Sequence, residues 1–243
     1  MKRILRVRMA FQLLFLSVVL LRLHRELGPL IFAFTPLALV AGNFFCGWLC
    51  PLGTVQELLR TIGSAFVRKK IKLPAGVQRY AQYTKYLMAL ALLAFVGLGA
   101  MKTDEVDALP IDAYQSFFVL SDGESLAAAA LAVLCLFLIA SLFIDRPYCN
   151  YFCVNSVEYA LPSWTRVFSI KRDAAVCVGC GICDARCPMN IRVSETKEVR
   201  NLQCVNCFRC VSGCPAKRAL SFGKGNVWMN IKNKLKPERE TPK

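Results

Sequence analysis

Histidine is almost missing from this chain: His24 is the one histidine in 243 residues. A b-type haem held between paired histidines is therefore excluded, and His24, beside Arg25 and Glu26, reads as an interfacial surface residue. No C-x-x-C-H occurs, which excludes covalent c-type haem. No G-x-G-x-x-G or Walker loop occurs, so the chain lacks the common nucleotide cradles. Acidic residues are scarce as well, with 16 Asp and Glu against 31 Lys and Arg, a net charge of +15. Nucleic-acid binders share such a balance, but a hydrophobic content of 56% does not suit them. Apolar stretches between basic loops describe a membrane protein, so no nucleic-acid partner is expected. The first apolar segment has a basic start and no A-x-A-like cleavage site after it, so it is expected to remain as an uncleaved anchor.

What the chain does have is cysteine, thirteen in all. Cys177, Cys180, Cys183 and Cys187-Pro188 read C-x2-C-x2-C-x3-C-P, and Cys204, Cys207, Cys210 and Cys214-Pro215 repeat the spacing. Thiolates are soft donors suited to iron–sulfur iron, and this run is the bacterial signature for two 4Fe–4S clusters. The fourth cysteine of each run ligates the other cluster. One centre is thus expected on Cys177, Cys180, Cys183 and Cys214, the second on Cys204, Cys207, Cys210 and Cys187. Structural zinc uses two pairs rather than matched quartets, and disulfides need an oxidising compartment.

Four stretches are apolar enough to suggest bilayer crossing, at about residues 9–23, 29–49, 86–101 and 126–144. The first and third are short, and Arg8, Arg22 and Lys85 are expected to extend them by snorkelling. The second holds Pro36, Gly42 and Asn43, which predict a kink or a broken helix. The resulting expectation is an integral membrane all-α domain of four transmembrane helices over residues 1–153. A linker (154–168), a small α+β two-cluster ferredoxin domain (169–223) and a basic tail (224–243) follow. Basic residues (Lys2, Arg3, Arg6, Arg8, then Arg60 to Lys85) alternate with acids (Asp104, Glu105, Asp107, Asp112, Asp122, Glu124). The positive-inside rule then places both termini and the ferredoxin domain in the cytoplasm, on a bacterial-type inner membrane, with the acidic loop outside.

Five cysteines remain. Cys135 reads as a small apolar side chain in the fourth segment. Cys46 and Cys50 end the second segment, Cys149 and Cys153 follow the fourth, and each pair reads C-x3-C with aromatics inside. The i, i+4 spacing would aim both sulfurs of a pair in one direction. Two segments and then a cysteine pair, twice over, look like an internal duplication, and repeats commonly place a functional site where they meet. Four thiolates are also the number an iron–sulfur centre needs. A third cluster, another metal and dithiol chemistry all remain open for this set. Asn43, Asp145 and Arg146 are polar neighbours that could line a quinone site.

FCGWLCPLG from Phe45 to Gly53, the second C-x3-C and the tandem ferredoxin motifs together resemble the NapH-type membrane ferredoxins, of the NapH/NosR-like 4Fe–4S electron-transfer family. The resemblance implies four transmembrane helices, two cytoplasmic 4Fe–4S clusters, and a quinol dehydrogenase subunit that links the quinone pool to a reductase pathway. Quinone or quinol would be its substrate, and its partners would be subunits of ferredoxin or cytochrome type. Val154 follows Cys153 where that family's motif ends in Cys-Pro, and no flavin-attachment sequence is present. The alternative function is a membrane metal-handling or assembly reductase, for example for copper, that uses Cys46, Cys50, Cys149 and Cys153.

Overall fold

The computed structural model of the chain describes residues 2–21, 36–66, 71, 72, 74–99, 112–123, 125–216 and 218–225. The first part is helical. Helix α1 (Lys2–Leu20) is followed, past residues 36–41, by the short α2 (Phe45–Trp48) and by α3 (Pro51–Phe66). Then come α4 (Ala75–Ala81), α5 (Thr84–Gly97), α6 (Ala113–Ser121) and α7 (Ala128–Ala140). Prolines open α3 and the short α8 (Pro147–Tyr151), at the first helical position, where the missing N–H has no intrahelical partner to lose. The Asp112 carboxylate caps α6 by accepting from the Tyr114 and Gln115 N–H groups at 2.9 and 3.4 Å.

Residues 154–168, expected as a linker, carry α9 (Asn155–Ala160) and a 3-10 turn at Pro162–Thr165. Val157, Tyr159 and Ala160 are buried there, and the Tyr159 ring stacks on Phe45 at 5.0 Å. The ferredoxin unit follows. Strand β1 (Phe168–Arg172) is the middle of a three-stranded antiparallel sheet, between β2 (Glu198–Val199) and β3 (Leu220–Lys224), with Ile170 opposite both Val199 and Phe222. Two single-turn helices, α10 (Ile182–Ala185) and α11 (Arg209–Gly213), carry the third cysteine of each motif.

The four-span expectation is overturned. Among the described residues no helix is long and apolar enough to cross a membrane. The physical reason is length and interruption. Helix α5 has 14 residues and α7 has 13, so they span roughly 20 Å where a bilayer core needs about 30 Å. Residues 36–49 break at Gly42, whose φ of +82° ends the helical turn before α2 begins. Helix α1 has 19 residues but includes Lys2, Arg3, Arg6, Arg8 and Gln12. Arg8 and Lys85 do not snorkel: both are buried in polar networks. Leu13, Leu14, Leu87, Leu90, Leu93, Leu136 and Ile139 do stand exposed along α1, α5 and α7, as does Cys135. Residues 100–111, with Lys102, Asp104, Glu105 and Asp107, lie outside the described residues. So do His24 and Arg22, the basic run 68–70 and the tail from 226.

Candidate iron–sulfur and four-cysteine sites

The tandem motifs fold alike because they share two backbone requirements. Gly179 and Gly181 take left-handed φ values of 67° and 66°, and the matching Asn206 and Phe208 take 47° and 54°. These turns curl the first three cysteines of each run around one point and start the single-turn helix that carries the third. Cys177, Cys180, Cys183 and Cys214 then line one small cavity. Cys187, Cys204, Cys207 and Cys210 line another. In each, three cysteines come from one motif and the fourth from the other.

The two cavities differ in setting. Cys180 is exposed and Cys177 half-exposed, whereas all four cysteines of the second set are buried. Burial, and then the neighbouring Cys207, push the Cys187 thiol up to about 12. Its sulfur accepts the Ile191 N–H at 3.4 Å. Cys177 is drawn the other way by the Gly179 N–H and by Arg172.

Cys46, Cys50, Cys149 and Cys153 line one cavity of about 560 Å³. Their motifs do not form the continuous helices that the i, i+4 argument assumed. Helix α2 ends at Trp48, and Cys50 precedes Pro51, the first residue of α3. The same closing geometry recurs in both pairs. The Phe45 carbonyl accepts from the Leu49 and Cys50 N–H groups at 2.9 and 3.0 Å, and the Tyr148 carbonyl accepts from Phe152 and Cys153 at 2.9 and 3.0 Å. Such 6→1 bonds satisfy the last carbonyls of a helix and turn the chain sharply. Behind each motif a hydroxyl caps the second cysteine's carbonyl, Thr54 on Cys50 at 2.9 Å and Ser156 on Cys153 at 2.7 Å.

This third cavity abuts the second ferredoxin quartet. Met189 and Val205 form walls of both. The Trp48 indole N–H donates to the Asn206 carbonyl at 3.0 Å, and the Asn150 amide donates to the Pro188 carbonyl at 3.1 Å. Each C-x3-C segment thus holds one loop of that quartet. Phe44 and Trp48 also pack on Phe208, with ring centroids 5.9 and 6.1 Å away.

Two groups of charges occupy the same region, one around Lys85 and one around Glu57. The Lys85 ammonium donates to Gln203 Oε1 at 2.6 Å and Ser156 Oγ at 2.9 Å, with the Cys149 carbonyl at 3.5 Å. Burial pulls its pKa down, while Cys153, Cys46 and Cys149 oppose that shift. Cys50, Cys149 and Cys153 are pushed up, chiefly by burial. Gln56 Nε2 lies 3.6 Å from the Cys149 sulfur, and the Gly53 N–H 3.3 Å from that of Cys50. On the far side Glu57 binds three arginines, Arg8, Arg146 (2.7 Å) and Arg209.

The donor sets fit iron–sulfur clusters: four sulfurs to a cavity, with N–H groups aimed at several of them. All thirteen cysteines are free. Among the described residues no three Cys, His, Asp or Glu side chains are placed to hold a single metal ion. Thiolates on one tetrahedral zinc lie about 4 Å apart, whereas a cubane offers a separate iron to each cysteine and spreads its ligands more widely.

Comparison with known proteins follows the same division of the chain. A 4Fe-4S binding domain family matches residues 27–74 and 126–153, and a 4Fe-4S dicluster domain family matches 169–215. The putative electron transport protein YccM of Escherichia coli is 31% identical over 82% of this chain and 56% of its own length. An uncharacterized protein of Methanocaldococcus jannaschii is 30% identical over 76% of this chain and 74% of its own. The ferredoxin-type protein NapH of Haemophilus influenzae is 27% identical over 74% of this chain and 62% of its own. The chain belongs to the NapH/NosR-like ferredoxin-type family. It spans only 56% of YccM. No solved structure matches it. For a NapH/NosR-like chain carrying these 4Fe–4S domains, iron–sulfur electron transfer is the function class.

Sequence reading singled out Asn43, Asp145 and Arg146. Asn43 lines the large cavity, Asp145 lines a separate small one, and Arg146 belongs to the Glu57 cluster. It missed Glu57, Gln56, Gln203 and Asn206, and misread Arg8 and Lys85. A usable signal existed for Glu57, the one acid between Glu26 and Asp104. An isolated charge in an apolar, basic stretch points to a buried pair.

Proposed function

We propose that this protein is an electron-transfer subunit that links the quinone pool to a reductase pathway through three cysteine-bound centres in series. Cys177, Cys180, Cys183 and Cys214 hold one 4Fe–4S cluster, and Cys187, Cys204, Cys207 and Cys210 hold a second. Cys46, Cys50, Cys149 and Cys153 hold a third redox centre. The observation that carries this reading is the shared wall: Met189 and Val205 face both the second quartet and the four-cysteine cavity. Thiolates are also what the buried Lys85 calls for, since its hydrogen-bond acceptors are all neutral. The 4Fe-4S binding domain match spans all four cysteines of that cavity, which favours an iron–sulfur centre over copper handling there.

A 4Fe–4S cluster held by these cysteines would supply one-electron exchange, so the two electrons of a quinol would leave one at a time and its two protons would go to water or a base. The chain's own groups hold the thiolates, donate N–H bonds to sulfur and keep water from the buried quartet. The exposed leucines of α1, α5 and α7 and the net charge of +15 support docking on anionic lipid at the cytoplasmic face of the inner membrane. Partner subunits of ferredoxin or cytochrome type would meet the exposed edge at Cys177 and Cys180.

The test is anaerobic purification with quinol-driven reduction and paramagnetic resonance. Cys180→Ser and Cys207→Ser should each delete one ferredoxin signal and about four of roughly eight ferredoxin irons. Cys46→Ser or Cys149→Ser should abolish quinol-dependent transfer and leave both ferredoxin signals, with the double variant no worse than either single one. Turnover at the parent rate in both single variants would overturn the third centre.

A further inference from the structure

Glu57 and its three arginines sit between two of these cages. Arg8 comes from α1, Glu57 from α3, Arg146 from the residue before α8, and Arg209 from α11 between Cys207 and Cys210. Arg8 and Arg146 are 2% and 1% exposed, and Glu57 is 15% exposed. Arg8 also donates to the Gly47 carbonyl at 2.8 Å, and Arg146 to the Cys46 carbonyl at 2.7 Å, inside the first C-x3-C motif. The group therefore touches the four-cysteine segment on one side and the second ferredoxin motif on the other. Three cations against one carboxylate leave an excess of two positive charges, with Arg8 and Arg146 buried and Arg209, 23% exposed, at the edge of the group. A merely structural clamp would be neutral, since an uncompensated buried charge is costly. The compensating negative charge is at hand in the thiolates of the adjacent cages: Cys207 lies in the field of both Arg8 and Arg146, and Cys149 in that of Arg146.

We propose that the Glu57–Arg8–Arg146–Arg209 cluster sets the reduction potential of the centre held by Cys187, Cys204, Cys207 and Cys210, the arginines raising it and Glu57 holding it down. The inference rests on the reading that these four cysteines hold a cluster. Adding one electron to a centre held by four thiolates adds one negative charge, which nearby cations favour and burial opposes. The second quartet is the more buried, so without the arginines its centre would be the harder to reduce. Cluster potentials follow net charge, hydrogen bonding to sulfur and exposure, and Arg8, Arg146 and Arg209 act through the first.

The experiment is a redox titration of the full chain, purified anaerobically with its clusters and followed by paramagnetic resonance. The relevant signal is the one that Cys207→Ser removes. Glu57→Gln keeps the side-chain shape and removes a negative charge, so at fixed potential the reduced-to-oxidised ratio should rise. Arg209→Gln removes a positive charge, so the ratio should fall. Each change should be about tenfold, or roughly 59 mV for one electron, the scale of a unit charge within about 12 Å at an effective dielectric near 20. Glu195→Gln, in the exposed Arg192–Glu195 pair, should change nothing. Opposite shifts in the two variants support the proposal, because packing damage has no reason to follow the sign of the charge removed. Unchanged potentials, or shifts in the same direction, overturn it. A parent protein in which Cys207→Ser removes no signal overturns the ligand reading instead, and the proposal with it.

Discussion

Gly47 offers a sharp perturbation because its neighbour is backbone. A Cβ built there would lie 1.9 Å from the Val205 carbonyl oxygen, roughly 1.5 Å short of the 3.4 Å at which ordinary contact begins. A side-chain end could swing away. Val205 cannot, since it lies between Cys204 and Asn206 in the loop that wraps the second quartet, and Asn206 is held by the Trp48 indole. Gly47→Ala must therefore push the first C-x3-C segment off the ferredoxin loop. Overpacking of this kind costs about 1–3 kcal/mol, which for a chain of this size lowers the apparent Tm by roughly 2–12 °C. It should also slow electron transfer between the proposed four-cysteine centre and the second quartet, because the transfer rate falls as two centres are moved apart. Gly76→Ala is the control: among the described residues no atom outside its own helical turn lies within 4 Å of the added Cβ, and the glycine sits in α4. That change should be neutral or stabilising, by up to about 1 kcal/mol. Thermal unfolding under argon and single-turnover reduction of the ferredoxin signals measure both effects. If Gly47→Ala melted and turned over like Gly76→Ala, the close approach of the two segments would be wrong.

Phe208→Gly should destabilise the protein despite relieving a left-handed φ of 54°. The relief is about 1–2 kcal/mol, against about 3–5 kcal/mol for deleting a buried phenyl ring packed on Phe44, Trp48 and Phe222, and a denaturant titration gives the net sign. Glu57 should make stability fall in acid. Although burial acts to raise its pKa, Arg146, Arg209 and Arg8 together hold it well below the usual carboxylate range. A carboxylate with a depressed folded-state pKa contributes stability that is full above its unfolded pKa and is lost as pH falls toward the folded one. Glu57→Gln should therefore lose stability relative to the parent at pH 6, and that deficit should narrow as the pH is lowered below about 4.5. A gap of the same size at pH 6 and pH 3.5, by chemical denaturation, would refute the ion-pair account.

The cysteine spacing alone pointed to iron–sulfur chemistry, and it grouped the eight ferredoxin cysteines as the two small cavities do. Ligand runs of this kind are short-range, and the turns they need are written in the same few residues: Gly179, Gly181, Asn206 and Phe208. The duplicated C-x3-C pairs were legible as a repeat, but their geometry was not. A spacing of four suggested helix faces, whereas the 6→1 bonds onto Phe45 and Tyr148 end each helix inside the motif. Hydropathy misled over the membrane spans, because an apolar run of 15 to 20 residues does not say whether a turn interrupts it. Gly42 and the ends of α5 and α7 supply those interruptions. Only the tertiary structure brought Cys46, Cys50, Cys149 and Cys153 into one cavity against the second quartet, and only it closed Glu57 on arginines 49, 89 and 152 residues away. No periodicity encodes such contacts. They form because a buried charge must find its partner wherever the packed chain puts one.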